Sequence, residues 1–261
     1  RLSRIAAICG GKFSGCDSEV RSVVTDSRSL SCELGCRPMF VAMRGANHDS
    51  HDFIAGMQSR GVRAFLVERG VEASSCTGEC GFVQVDNAIE ALQRLAAYHR
   101  AQFRGTVVGI TGSNGKTVIK EWIAEELPEG MKYYRSPKSY NSQLGVPLSV
   151  LMLEGDEELA IFEAGISKPG EMERLERIIR PDAVIFTSIG DAHQENFINL
   201  EQKCDEKMIL ARSASKIIYH SYYEPLGRMV AAHFADRRPV DAASYPEVPE
   251  SVIGNAASRR N

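Results

Sequence analysis

The chain has 261 residues, 43% of them hydrophobic and 25% charged, with a formal net charge of -3, a globular composition long enough for two domains or one large one. That balance lacks the basic excess that nucleic-acid or anionic-membrane partners call for, and no apolar run reaches the roughly 18 residues of a membrane span. Arg1-Leu2-Ser3-Arg4 leads into no signal-peptide core, so a cytoplasmic protein is expected.

Leu2, Ile5, Ala6 and Ile8 space a short amphipathic helix stopped by Gly10-Gly11. Val20 to Val24 reads as a strand running into Thr25-Asp26-Ser27-Arg28, either a capped turn or a polar contact loop. Met39 to Ala42 is a second strand, followed by a loop from Arg44 to Phe53 rich in Asn, His and Asp. Such loops are commonly just solvated, but two of them, each leaving a strand in a small N-terminal domain, suit a polar ligand such as a sugar or nucleotide base. Helical spacing follows at Phe53, Ile54 and Met57, then strands at Arg63 to Val67 and Phe82 to Val85. Ala88 to Phe103 reads as a helix, with His99 on its face. An N-terminal domain of residues 1–104 and a second of residues 105–261 are expected, because a new α/β unit starts at Thr106.

Val107 to Lys120 reads VVGITGSNGKTVIK: strand, phosphate loop, helix. Gly112 and Gly115 let the backbone approach an anion, the helix start aims free N–H groups at it, Lys116 supplies a mobile charge, and the Thr117 hydroxyl suits Mg²⁺. The usual G-x-x-x-x-G-K-[ST] pattern fails at Ile110, while the shorter T-G-x-x-G-K-T holds from Thr111. A helix to Leu127 comes next, then Tyr140-Asn141-Ser142-Gln143-Leu144-Gly145-Val146-Pro147, whose amides have no role that chemistry alone assigns. Leu159 to Ala164 is an apolar strand with Glu163 at its C-terminal end, where open α/β sheets place ligand and metal groups; a helix cap or solvated acid is the alternative. Glu171 to Ile179 is helical, Ala183 to Thr187 is a strand, and His193 repeats the placement of Glu163 one unit later. Leu200 to Ala214 reads as a helix carrying Lys203 and Lys207, and Lys216 to His220 as a strand. This alternation predicts a P-loop, doubly wound, mostly parallel sheet with helices on both faces. Pro225 to Phe234 suits a helix, and Pro239 to Ala256 has little pattern.

The cysteines Cys9, Cys16, Cys32, Cys36, Cys76, Cys80 and Cys204 are odd in number and thinly spread, which predicts reduced thiols. The spacings Cys32/Cys36 and Cys76/Cys80 are loose for zinc, with no His beside them.

TDSR at Thr25, GANHDSHDFI at Gly45, TGSNGKT at Thr111, YNSQLGVP at Tyr140, FEAGISKPGEM at Phe162 and TSIGDAHQENF at Thr187 together resemble the Mur ligase family of peptidoglycan synthesis, in family order over about residues 20 to 215. Within the family the resemblance is greatest to the members that add D-alanyl-D-alanine to UDP-N-acetylmuramoyl-tripeptide, including a form fused to an alanine racemase. It implies ATP and two Mg²⁺ as cofactors. Gly112, Ser113, Asn114, Gly115, Lys116 and Thr117 would hold the ATP phosphates, with Asn141 facing them. Thr117 and Glu163 would serve one Mg²⁺, and His193 a second. Lys207 falls where the family carries a lysine carbamylated by CO₂, and Lys116, Lys207 and His193 are the implied catalytic groups. Ser27, Arg28, Asn47 and His51 would grip the UDP end of the sugar nucleotide. The implied reaction passes through an acyl-phosphate. The family also has a third, C-terminal domain with no counterpart in these 261 residues, so this piece alone is expected to bind sugar nucleotide weakly at most and not to ligate. Two alternatives stand beside this: another carboxylate-amine ligase of folylpolyglutamate or cyanophycin type, and a P-loop regulatory module in which Glu163, His193 and Lys207 are incidental.

Overall fold

The computed structural model describes residues 1–29, 37–45, 48–69, 79–190 and 194–244. Two sheets organise them. The first has the order β1 (Lys12–Gly15), β5 (Gly81–Val85), β4 (Ala64–Glu68), β3 (Pro38–Val41), β2 (Ser22–Val24); every pairing is parallel except β1 with β5. Strands β3 and β4 are near-continuous runs of buried side chains, as a sheet covered on both faces demands. Helices α1 (Leu2–Cys9) and α3 (Ala88–Arg100) pack on one face, through Leu2, Ile5, Leu92 and Leu95 against Met39, Leu66 and Val83. Helix α2 (Ile54–Ser59) covers the other through Ile54 and Met57, against Phe40, Phe65 and Phe82.

The second sheet has the order β11 (Val240–Asp241), β10 (Lys216–Tyr219), β9 (Ala183–Phe186), β6 (Thr106–Thr111), β8 (Leu159–Ala164), β7 (Tyr133–Arg135), all parallel. Between its strands run α4 (Lys116–Glu125), α5 (Gly145–Val150), α6 (Glu171–Ile179), α7 (Leu200–Met208) and α8 (Leu226–His233). Helices α5 to α8 close the larger core around Phe162, Leu175, Ile179 and Leu210, while α4 covers the opposite face around Ile110, Leu159 and Ile161. The chain leaves β6 toward β8 and β7 and returns on its other side as β9, and a ligand cleft is expected where strand order reverses like this.

Helix α3 joins the two sheets. Its Asn87 side chain caps the start by accepting from Glu90 N–H at 2.9 Å. Ala88, Ala91, Leu92 and Leu95 face the first core, whereas Ala96 and the following Phe103 belong to the second. His99 Nε2 contacts the Leu153 carbonyl oxygen at 2.9 Å, and Arg100 Nε donates to that of Ile179 at 2.8 Å.

Three elements lack a clear sequence pattern. β1 has mostly exposed side chains, β7 is a three-residue edge strand, and α5 lies in the apolar, proline-containing run GVPLSV. The helix expected from Leu200 to Ala214 is α-helical only to Met208 and then tightens into a 3₁₀ turn at Ile209–Ala211. Beyond β11 the described chain ends at Ser244.

Candidate active site

Parallel pairing of β6 with β8 sets Ile110 beside Glu163 and Thr111 beside Ala164, which carries the Glu163 carboxylate to the mouth of the phosphate loop. The loop is pinned to the next strand's end: Thr187 Oγ1 donates to the Asn114 carbonyl oxygen at 2.6 Å, Ser113 N–H to that of Ser188 at 2.7 Å, and Ser113 Oγ to that of Gly190 at 3.1 Å. Helix α4 begins at Gly115 (φ 83°) with no side-chain cap, leaving its first N–H groups directed at the loop's concavity.

Lys116 Nζ donates to the carbonyl oxygens of Gly112 at 2.8 Å and Ser113 at 3.3 Å. Lys207, on the last turn of α7, donates to the same Gly112 oxygen at 3.2 Å. A third lysine, Lys203, is buried one turn earlier and donates to the Gly190 carbonyl oxygen at 2.5 Å. Burial, then the charges of Lys116 and Lys203, lower Lys207 from an ordinary 10.5 to about 7. Burial also lowers Lys116, partly offset by the Glu163 carboxylate. Among the described residues no acid is hydrogen-bonded to either lysine, so the two head groups bring positive charge to the loop where an anion would be held. Gly112, Ser113, Lys116, Asn141, Gly165, Ser167 and Lys207 line a small polar hollow there.

Glu163 is fully buried. Its Oε2 accepts from Thr117 Oγ1 at 3.1 Å and from Asn141 Nδ2 at 3.5 Å, while Oε1 lies 2.9 Å from Lys120 Nζ. Asn141 is held by its own carbonyl oxygen, which accepts from Gly165 N–H at 2.7 Å. Gly145 opens α5 beneath it, where a Cβ would come within 2.9 Å of the Tyr140 backbone. Lys120 is the residue that the motif reading passes over; its position four residues after Lys116, one turn along the same helix face, was the available signal.

The structure brings together Gly112, Ser113, Asn114, Gly115, Lys116, Thr117, Asn141, Glu163 and Lys207 around one loop. His193 and Asn47 lie outside the described residues, as do Cys32, Cys36 and Cys76. Ser27 and Arg28 form an exposed 3₁₀ turn in which Arg28 forks onto Asp26 at 2.8 and 3.0 Å, holding that carboxyl down at about 2. Arg60, just past α2, donates to the Ser27 carbonyl oxygen and so ties this turn to the α2 end of the domain. His51 faces inward: its Nε2 accepts from Glu68 N–H at 3.0 Å and its Nδ1 meets Asp49 Oδ1 at 2.5 Å. Both ring nitrogens are thus occupied within the domain.

Residues 110–238 match the Mur ligase middle domain. The chain belongs to the Mur ligase family. This Mur ligase chain is 31% identical over 189 residues to the UDP-N-acetylmuramoyl-tripeptide--D-alanyl-D-alanine ligase of Bacillus subtilis, covering 72% of the chain and 40% of that protein. The enzyme of the same name from Escherichia coli is 32% identical over 199 residues, 76% of the chain and 42% of that protein. The chain therefore spans less than half the length of these curated relatives. MurF from Acinetobacter baumannii superposes with a TM-score of 0.79 at 25% identity, over 92% of this chain and 52% of that one. MurF ligase from Thermotoga maritima in complex with ADP does so with a TM-score of 0.70 at 28% identity, over 85% and 49%. No helix of the Mur ligase chain, among the described residues, is long and apolar enough to cross a membrane.

The loop leaves no room at Gly112. A Cβ there would sit 1.8 Å from Thr187 Oγ1, the atom that pins Asn114, with φ at +151°. Gly112→Ala is expected to cost about 1–3 kcal/mol of stability through loop displacement. Urea denaturation of the two proteins measures it, and an unchanged midpoint would mean that the loop yields freely.

Proposed function

We propose that this chain carries the sugar-nucleotide and phosphoryl-transfer parts of an ATP-dependent ligase that joins D-alanyl-D-alanine to UDP-N-acetylmuramoyl-tripeptide. The observation that carries the reading is the convergence of Lys116 and Lys207 on one carbonyl of the phosphate loop, next to the Thr117–Glu163 pair. The names of the relatives supply the substrates.

A carboxylate is a poor acyl donor because its leaving group would be oxide. Transfer of the γ-phosphoryl group from ATP to the acceptor's terminal carboxylate cures this, releasing ADP as the bond to the bridging oxygen breaks. The amine of D-alanyl-D-alanine then attacks the acyl carbon, phosphate departs, the amine loses a proton and an amide remains. The first step concentrates negative charge on the phosphoryl oxygens, so the protein's task is positioning and neutralisation. Lys116 is suited to it: its ammonium rests on two loop carbonyls, with no carboxylate hydrogen-bonded to it among the described residues, and can swing onto a phosphate. The open N–H groups at the start of α4 supply fixed partial charge at the same place.

Mg²⁺ fits the donor set. Thr117 Oγ1 and Glu163 Oε2 are hard oxygen donors 3.1 Å apart, and Mg²⁺ characteristically takes its remaining ligands from water and phosphate. Among the described residues no three His, Cys, Asp or Glu side chains form a dedicated metal cage. Bound there, the ion would neutralise charge on the phosphates. Lys207 suits carbamylation, because only the neutral amine adds CO₂, giving N-carboxylate and a proton. Its value of about 7 gives it roughly a thousandfold more neutral amine at pH 7 than an exposed lysine.

Amide formation is assigned to a protein of the relatives' length and nucleotide binding to this chain. The test is phosphate release from ATP by that longer protein, which should require both UDP-N-acetylmuramoyl-tripeptide and D-alanyl-D-alanine and yield their amide by mass spectrometry. Release indifferent to both acceptors would replace the reading with a nucleotide switch. Acceptor-independent of the sugar nucleotide but dependent on glutamate, it would point to a folylpolyglutamate-type ligase.

A further inference from the structure

The Lys120 ammonium is fully buried in the first turns of the phosphate-loop helix and touches three different segments. It donates to the carbonyl oxygens of Ser136 at 2.7 Å and Lys138 at 2.6 Å, and stands 2.9 Å from Glu163 Oε1. A buried lysine is costly unless partnered, and here two carbonyl oxygens accept from the head group while Glu163, with Glu121 Oε1 at 3.5 Å, balances its charge. Lys138 itself holds a left-handed backbone (φ 49°), so the carbonyl aimed at Lys120 belongs to a constrained turn. Three residues further on, that same turn delivers Asn141 to Glu163. Among the described residues Glu163 Oε1 has no aligned hydrogen-bond donor and faces the Lys120 charge, while Oε2 receives both Thr117 and Asn141.

We propose that Lys120 is a positioning residue for the phosphate-transfer site: it occupies one oxygen of Glu163 so that only Oε2 is presented beside Thr117, which makes Glu163 a one-oxygen ligand for the nucleotide-borne cation. The inference rests on the ligase reading above. Fixing Oε1 selects one carboxylate orientation, and tying the 136–138 turn to the same ammonium sets Asn141 with it. Groups that orient a metal ligand in this way typically change metal affinity about 10–100-fold when removed.

The experiment follows a fluorescent ADP analogue binding to this chain with Mg²⁺ and with EDTA. Wild type is expected to bind more tightly with Mg²⁺. Lys120→Met should lose about 10–100-fold of that enhancement while its EDTA affinity stays within about threefold, and Lys120→Arg should recover part of it. A merely structural lysine would weaken both conditions together, and that result, or an unchanged Mg²⁺ enhancement, overturns the proposal. A melting cycle of Lys120→Met, Glu163→Gln and the double variant covers poor folding. The double should melt above Lys120→Met alone, because the unpaired buried carboxylate is gone, and additive losses overturn the pairing. If wild type binds no ADP under either condition, the ligase reading fails and the metal role of Lys120 falls with it.

Discussion

Lys207→Met is expected to make the protein more stable and the ligase nearly inactive. The stability gain follows from the sign of the shift. Lys207 titrates at about 7 in the folded chain against 10.5 for an ordinary lysine, so between those values the unfolded chain holds the extra proton. The buried ammonium therefore costs most at and below pH 7, and the cost fades as pH rises toward 10.5. Replacing it with Met should stabilise the chain by about 1–3 kcal/mol at pH 6.5, with the difference between variant and wild type shrinking by pH 9.5. Urea denaturation in CO₂-free buffer at the two pH values measures it; equal differences at both would mean that Lys207 is solvated and titrates normally. Activity moves the other way. Loss of a charge-bearing group at the transferring phosphoryl is worth about 10²–10³-fold in rate. A protein of the relatives' length bearing Lys207→Met should lose acceptor-dependent phosphate release on that scale, and added bicarbonate should not restore it. Full activity in the variant would show that Lys207 is incidental.

Lys116→Ala should separate binding from folding in the opposite pattern. Among the described residues the Lys116 head group bonds only to the carbonyls of Gly112 and Ser113, within its own loop, and the helix N-terminus beneath it has no side-chain cap. Its removal is expected to leave the urea midpoint nearly unchanged, since a half-buried lysine with lowered affinity for its proton contributes little to folding. Nucleotide affinity should fall by about 10²-fold or more, because the phosphates lose their mobile counter-charge. Fluorescent ADP titration of the chain reads this directly. A variant that binds as wild type does would assign phosphate recognition to the α4 N–H groups alone.

The second sheet was legible because each of its central strands is a short apolar run closed by a turn and followed by helical spacing. Glu163 could be placed at a strand end from pattern alone, and the parallel register puts it next to Ile110 as that placement requires. Edge elements were harder to read. β1 and β7 expose most of their side chains, so neither alternation nor apolarity marks them, and only tertiary pairing makes them strands. Lys120 was missed for a different reason. Lysine in a helix after a phosphate loop looks like surface charge, and its burial depends on carbonyls from Ser136 and Lys138 that are distant in sequence. His51 shows the reverse: in a polar loop it reads as a contact residue, while in the fold its ring is nearly enclosed and serves Glu68 N–H and Asp49. The pull of burial on Lys207 likewise arises from packing between α7 and the loop, which no local pattern encodes.

The alternation along β8 has a consequence for how the site can change. Ile161 packs toward α4, Phe162 toward the helices on the other face, Glu163 again toward α4, and Ala164 away from it. Because the side-chain period of a strand is two, inserting or deleting a single residue within β8 would exchange the faces. Phe162 would then stand against Thr117, and the carboxylate would be thrust into the apolar layer under α5 and α6. Length changes should be tolerated in the connections at either end of β8 and rejected inside it. A scan of single-residue insertions across residues 152–170 would accordingly draw the strand's limits as a sharp interval of lost folding.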